Sequence, residues 1–147
     1  MKEKVYTRVS KNSDVELMGN RFRHISKATF ETKLKAGEYL LVFSDDVFVG
    51  WLRWGYFWDS IPSINMLMID EGEREKGYGR RLVSDWEKLM REDGHEMVMT
   101  STQSDEDAQH FYRRLGFVDR GSIMLPDEVL EIILVKYLLE EKEKTIP

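Results

Sequence analysis

The sequence predicts a mixed α/β fold: a mostly antiparallel sheet of six to seven strands, about four helices and one parallel strand–helix–strand crossover. Three observations carry that expectation. Strand-like runs crowd both ends of the chain. Residues 64–100 read strand, helix, strand, with a connection long enough for a parallel pair of right-handed sense. The run 47–58 is apolar on both faces apart from Arg53, as in a strand covered by helices on two sides.

Taken in order, Val5–Val9 alternates in strand fashion. Helical patches come next at 14–25 and 26–35, the second closed by Gly37 as a left-handed cap. The run from Tyr39 reads as two strands around a turn at Ser44, Asp45 and Asp46. A second turn at 59–62 leads to an apolar strand at 64–69. The crossover helix runs to about Glu92, with Leu82, Val83, Trp86, Leu89 and Met90 on one stripe and Asp93-Gly94 as its stop. A short strand at 96–100 is followed by a helix at 105–115, on which Ala108, Phe111, Tyr112 and Leu115 share a face. Gly116 suits the left-handed position after that helix, and Phe117 the apolar contact beyond it. Strands at 118–125 and 130–138 surround a turn at Pro126-Asp127, and 140–147 reads as a solvated, fraying tail.

Composition narrows the function classes. A chain of 147 residues, 41% apolar and 33% charged, suits a single soluble domain over 1–147. No run approaches the ~20 apolar residues of a membrane span, and the first residues lack a signal peptide's apolar segment. Without cysteine there is no disulfide, thiolate nucleophile or zinc–thiolate site, and a cytoplasmic location is expected. A net charge of −5 argues against general nucleic-acid binding.

The stretch Arg74-Glu75-Lys76-Gly77-Tyr78-Gly79-Arg80-Arg81 opens the crossover helix. The first N–H groups of a helix lack intrahelical partners, and the macrodipole adds about half a positive charge there. Glycine lets an anion approach without a Cβ in the way, and four basic side chains reinforce the sign. A Walker loop would need Lys-Ser/Thr where Tyr78-Gly79 stands, and a dinucleotide fingerprint would need glycine at Leu82. What fits is Arg-x-x-Gly-x-Gly.

With Leu67-Met68-Ile69 before it and Ala108-Gln109-His110-Phe111-Tyr112 … Gly116-Phe117 after it, this loop resembles the Gcn5-related N-acetyltransferase (GNAT) superfamily, over roughly residues 62–118. The resemblance implies that the two parallel strands splay apart to hold acetyl-CoA. The backbone of Leu67, Met68 and Ile69 would take the pantetheine arm and thioester, in the manner of an added strand. Arg74, Lys76, Gly77, Tyr78, Gly79 and Arg80 would cradle the pyrophosphate. Asp105 stands where the family often has asparagine; it would cap its helix and touch the cofactor. Glu71 replaces a frequent proline.

The implied chemistry presents a neutral amine to a thioester. A lysine-like amine is neutral about once in several thousand molecules at pH 7, a cost of roughly 4–5 kcal/mol unless the site assists. Asp70, Glu71 and Asp59 are candidate bases, with a chain of waters as the alternative, and backbone N–H near Leu67–Ile69 would hold the oxyanion. Tyr112 would protonate the departing thiolate. No metal is expected: His24, His95 and His110 are far apart and read as surface residues. Trp54, Tyr56 and Trp58 alternate onto one strand face and could wall a cationic amine, although a doubly buried strand explains them too. Phe22, His24 and Phe30 would border the acceptor, by position. The partner expected is an amine substrate of unknown identity, and exposed sheet edges leave a homodimer open. Two other classes stay in view: a non-catalytic acyl-CoA-binding module and a plain interaction domain.

Overall fold

The computed structural model describes residues 2–138; the expected tail at 140–147 lies outside the described residues. Contacts divide the chain into two compact units, one of Met1–Gly55 with Met66–Trp86, the other of Tyr56–Asn65 with Glu87–Pro147.

The first unit holds β1 (Val5–Val9), α1 (Val15–Met18), α2 (Lys27–Lys35), β2 (Tyr39–Ser44) and most of β3 (Val47–Phe57). It also holds the end of β4 (Ile61–Ile69) and the start of α3 (Tyr78–Glu92). β1 and β3 flank β2 antiparallel, from Val5↔Ser44 to Val9↔Leu40 and from Tyr39↔Arg53 to Ser44↔Val47. Asp45 and Asp46 make the tight hairpin turn at positive φ, which aspartate tolerates through local hydrogen bonding. Alternation then fills two cores. Tyr39, Leu41, Phe43 and Trp51 pack with Met18, Phe30 and Leu34 on one face. Leu40, Val42, Leu52 and Trp54 are buried on the other, where the Trp54 and Trp86 rings meet edge to face at 6.3 Å. The doubly buried strand is thus as expected.

Arg53 is the one charge in that strand's interior. Its guanidinium donates to the carbonyls of Phe22 and Arg23, 2.7 Å each. The first helix is shorter than the expected 14–25. It stops at Met18 because Gly19 takes φ +61°, and the chain from there to α2 is an irregular segment tied down by Arg53. Ser26 caps α2, accepting from the Thr29 N–H, and Gly37 comes after it at φ +72°.

The second unit holds the start of β4, β5 (Met97–Gln103), α4 (Ala108–Arg114), β6 (Val118–Ile123) and β7 (Glu131–Tyr137). β4 and β5 are parallel through Ser63↔Met99 and Ile64↔Thr100. β7 lies antiparallel to β5 and to β6, with an irregularity between Asp119 and Gly121. The seven strands take the order β1-β2-β3-β4-β5-β7-β6, the mixed, mostly antiparallel arrangement with one crossover that the sequence predicts. α4 ends in a Schellman cap: Gly116 N–H donates to Arg113 O and Phe117 N–H to Tyr112 O, both 3.0 Å. The Lys136 ammonium seals the same end, donating to Leu115 O (2.6 Å) and to the buried Glu87 carboxylate (2.9 and 3.1 Å).

Several boundaries differ from expectation. The β3–β4 turn is at Trp58 and Asp59, both at positive φ, and β4 already begins at Ile61, so Pro62 lies within the strand. β5 extends to Gln103. α4 begins only at Ala108, which leaves Asp105 in a turn ahead of the helix and not at its cap. β6 stops at Ile123.

One close approach fixes β4. A Cβ on Gly50 would lie 2.8 Å from the Met68 carbonyl oxygen and 2.6 Å from Ile69 Cδ1. Backbone oxygen cannot yield as a flexible side chain can. Gly50→Ala should therefore cost about 1–3 kcal/mol and lower Tm by roughly 3–10 °C, read by calorimetry.

Candidate active site

The expected cofactor residues of the first unit fall on one continuous segment. β4 ends at Ile69, and Asp70 N–H still reaches Val49 O at 2.9 Å. Arg74 folds back to donate from Nε to Ile69 O at 3.0 Å, so its charge sits at the end of the strand. Glu75 and Gly77 then take φ +64° and +89°. That left-handed step is what glycine supplies at position 77. α3 starts at Tyr78, and Arg81 N–H gives the bond back to Gly77 O at 3.0 Å. The N–H groups of Tyr78, Gly79 and Arg80 precede that bond, so helix geometry leaves them without intrahelical acceptors.

These donors border an open concavity of 380 Å³, lined among others by Lys76, Gly77, Tyr78, Arg80 and Arg81. A Cβ on Gly77 would meet nothing within 4 Å, so the space beside its backbone is vacant of protein atoms. Lys76 pairs with Glu73 at 3.1 Å, and that hydrogen bond holds its pKa above the usual lysine value. Arg81 is turned along the helix to Asp85 at 2.8 Å, while Arg80 is exposed. A cradle of free N–H groups with cations at its rim is chemically suited to a pyrophosphate.

Sequence reasoning missed how the loop is anchored. Tyr78 is buried, and its hydroxyl donates to the Glu3 carboxylate, which also accepts from the Ser44 hydroxyl. Those two hydrogen bonds, from Ser44 first and Tyr78 second, lower the Glu3 pKa. No spacing in the sequence links positions 3 and 78.

Along β4 itself, Leu67, Met68 and Ile69 are half-buried, and Met68 packs on the Trp51 core. Asp70 is half-buried at the strand's end, whereas Glu71 is exposed. Asp59, the third candidate base, is exposed on the hairpin turn of the second unit.

Tyr112 belongs to the second unit. It is 4% exposed, on the face of α4 against Phe117, whose ring lies 5.4 Å away. Burial is the main influence on its phenol and raises the pKa; a hydrogen bond with Thr100 opposes that rise. The hydroxyl is therefore neutral, with its proton in place, throughout the physiological range. Val98, Thr100 and Thr102 alternate onto one buried face, and the Thr100 hydroxyl donates to Ile64 O at 3.0 Å.

The other side chains weighed from sequence do not converge. Trp58 is 78% exposed on the turn, Tyr56 leans on His95 with ring centres 6.0 Å apart, and Trp54 is buried in the first unit. Phe30 is fully buried in the first unit's core and cannot border an acceptor, unlike the exposed His24. Among the described residues no group of three His, Cys, Asp or Glu side chains could hold a metal. No described helix is long and apolar enough to cross a membrane.

The fold is mixed α/β, and its crossover helix opens on N–H groups that helix geometry leaves unpaired. The chain belongs to the acetyltransferase (GNAT) family, whose family model matches residues 10–117. Its enzyme class is therefore that of the acetyltransferases. No curated protein matches the chain. Among solved structures it is similar to Ard1 from Thermoplasma volcanium, with a TM-score of 0.74 at 18% identity over 92% of this chain and 99% of that one. It is also similar to Arabidopsis thaliana Naa50 in complex with the bisubstrate analogue CoA-Ac-MVNAL, with a TM-score of 0.71 at 17% identity over 90% and 97%. A third is N-acetylglutamate synthase from Neisseria gonorrhoeae complexed with coenzyme A and N-acetyl-glutamate, with a TM-score of 0.74 at 17% identity over 95% of this chain and 36% of that one.

The Glu3 anchor gives a pH test. Because its folded pKa is lowered, its contribution is present above the ordinary glutamate value and is lost as pH falls through the lower folded value. Glu3→Gln should speed amide hydrogen exchange at residues 74–79 at pH 7. The difference from wild type should shrink as pH falls below the ordinary glutamate range and Glu3 itself becomes protonated.

Proposed function

We propose that the protein is an acetyl-CoA-dependent N-acetyltransferase, a single catalytic domain that moves an acetyl group to a primary amine by direct attack on the thioester. The observation that carries this reading is the loop from Arg74 to Arg80. It combines a left-handed glycine, three N–H groups ahead of the first helical bond, and lysine and arginine at the rim of a concavity. Coenzyme A in the complexes of two similar structures supports it. We also assign the cytoplasmic location that the composition favours.

When bound, acetyl-CoA supplies an activated acyl group on a thiol. The protein's own residues do the rest. Tyr78, Gly79 and Arg80 N–H groups would hold the pyrophosphate, with Lys76 and Arg80 completing its charge balance. Gly77 is needed there because only a residue at ease with φ +89° lets the helix open in that direction. The backbone of Leu67, Met68 and Ile69 would run beside the pantetheine arm and supply an N–H to the carbonyl oxygen as charge develops. Arg74 occupies the Ile69 carbonyl, which places a cation where β4 meets the loop. Asp105, in the turn before α4, would contact the cofactor from there. Tyr112 would deliver the proton to the departing sulfur. The proton lost by the amine would leave through Asp70, Glu71 or water.

Acetyl-CoA at about a hundred times its Kd should add ~2.7 kcal/mol and raise Tm by roughly 5–10 °C. Gly77→Asp, checked for folding by circular dichroism, should abolish the rise; an undiminished rise would exclude the loop as the cradle. In a screen of small amines and peptide α-amines, Tyr112→Phe should lower kcat by ~10²–10⁴ while the acetyl-CoA Kd stays near wild type. Unchanged turnover would remove Tyr112 from the chemistry.

A further inference from the structure

We propose that Glu87 and Lys136 are positioning residues for Tyr112: the buried pair fixes the last turn of α4, and with it the direction in which the phenol offers its proton to the departing sulfur. This rests on the acetyltransferase reading above, with Tyr112 as its acid.

All the parts lie in the second unit. α4 has only seven residues, Ala108–Arg114, so Tyr112 stands in its last turn. A helix that short has little stability of its own and is placed by what holds its ends. At the C-terminal end, Tyr112 O accepts from the N–H groups of Leu115 and Phe117, 3.0 Å each. Leu115 O in turn accepts from the Lys136 ammonium at 2.6 Å. That ammonium also bonds both oxygens of Glu87, at 2.9 and 3.1 Å. It lies 5.9 Å from the centre of the Phe117 ring, which packs edge-on against Tyr112 at 5.4 Å. Lys136 is fixed to the sheet by its rung with Val98 of β5, and its stem passes close to Gly116, where a Cβ would lie 3.4 Å from Lys136 Cε. Glu87, 5% exposed, comes from the second half of α3. One ion pair therefore joins α3 and β7 to the turn at 115–117, and both ends of that turn bond the Tyr112 carbonyl.

Stability alone does not call for charges at this place. Two buried ions lose their hydration, and packed apolar side chains of similar volume often hold a fold as well or better. What an apolar side chain cannot do is bond Leu115 O in a fixed direction. The ammonium has three donors, and Glu87 and Leu115 O take all of them, so it cannot shift without losing a bond. The chemistry assigned to Tyr112 is sensitive to such a shift. As the carbon–sulfur bond breaks with its electron pair going to sulfur, the phenol proton crosses to that sulfur. The proton given up by the amine later restores the phenol, so the net products are free thiol and acetylated amine. A misplacement of about 1 Å in a step of this kind costs about 100-fold in rate.

The test separates positioning from mere support. Glu87→Met/Lys136→Met removes both charges together, fills the space with adaptable apolar side chains and leaves no buried ion unpaired. Its Tm should stay within about 5 °C of wild type, and its Kd for acetyl-CoA within about twofold. Exchange of the Phe117 amide, which bonds Tyr112 O, should nevertheless quicken by about 10-fold or more. Thiol release from acetyl-CoA, followed with the best acceptor of the amine screen, should show kcat lowered about 10–100-fold. In the Tyr112→Phe background the same two changes should alter kcat less than about threefold, because the group they serve is gone. Glu87→Gln keeps the shape and one acceptor for Lys136, and is the milder form of the test should the double variant not fold. It should lower kcat about 3–10-fold, again only where Tyr112 is present. A kcat that does not fall, that falls equally in both backgrounds, or that falls only in step with weaker acetyl-CoA binding overturns the proposal while the acetyltransferase reading stands. If no amine raises thiol release by wild type, or Tyr112→Phe has no effect, the reading beneath it has failed and the proposal with it.

Discussion

The contact of Gly50 with the β4 backbone constrains much of the first unit. β3 puts large side chains into a core on each face, so its position is set by Trp51 on one side and Trp54 on the other. Because Gly50 carries no side chain, Met68 and Ile69 of β4 settle directly against that fixed strand. The segment proposed to lie along the donor's arm is therefore placed by packing, not by its own hydrogen bonds alone. Rigid support of this kind is what allows a backbone N–H to act as a preorganised donor.

From Ile69 onward a different physics takes over. Arg74 ends the strand by occupying its last carbonyl, and Gly77 turns the chain into α3 with three donors left over. The loop's positive charge is only partly free, since Lys76 and Arg81 are each engaged by a carboxylate of their own segment. Such exposed pairs are weak, and a dianionic ligand can recruit the lysine from Glu73 at little cost. Glu3 adds a long-range tie to the same opening, accepting from the hydroxyl of Tyr78, which stands between the two glycines.

Much of this was legible in the sequence, where local rules dominate. The doubly apolar run gave β3, the glycine and cation pattern gave the opening of α3, and Gly116-Phe117 gave the cap of α4. The misses share a cause: each depends on a partner distant in the chain or on a backbone preference that tertiary packing overrode. Pro62 reads as part of a turn, yet the turn is made earlier by Trp58 and Asp59 in left-handed conformations, and the proline sits in a strand. The helical pattern after Asp14 continues on paper to 25, but Gly19 breaks it, and Arg53, far along the chain, fixes the carbonyls of Phe22 and Arg23 beyond the break. Asp105 has the character of a cap but lies ahead of the helix it was assigned to. Glu3 and Gly50 carry no local signature at all.

The proposed activity depends above all on the N–H groups opening α3 taking a pyrophosphate. Amide chemical shifts of ¹⁵N-labelled protein titrated with acetyl-CoA, and in parallel with S-acetylpantetheine, which lacks the pyrophosphate, would test it most directly. A pyrophosphate seated on those groups gives large, saturable shifts at Gly77, Tyr78, Gly79 and Arg80 with acetyl-CoA that are absent with S-acetylpantetheine. Saturable binding of acetyl-CoA that leaves those four amides unmoved would contradict it.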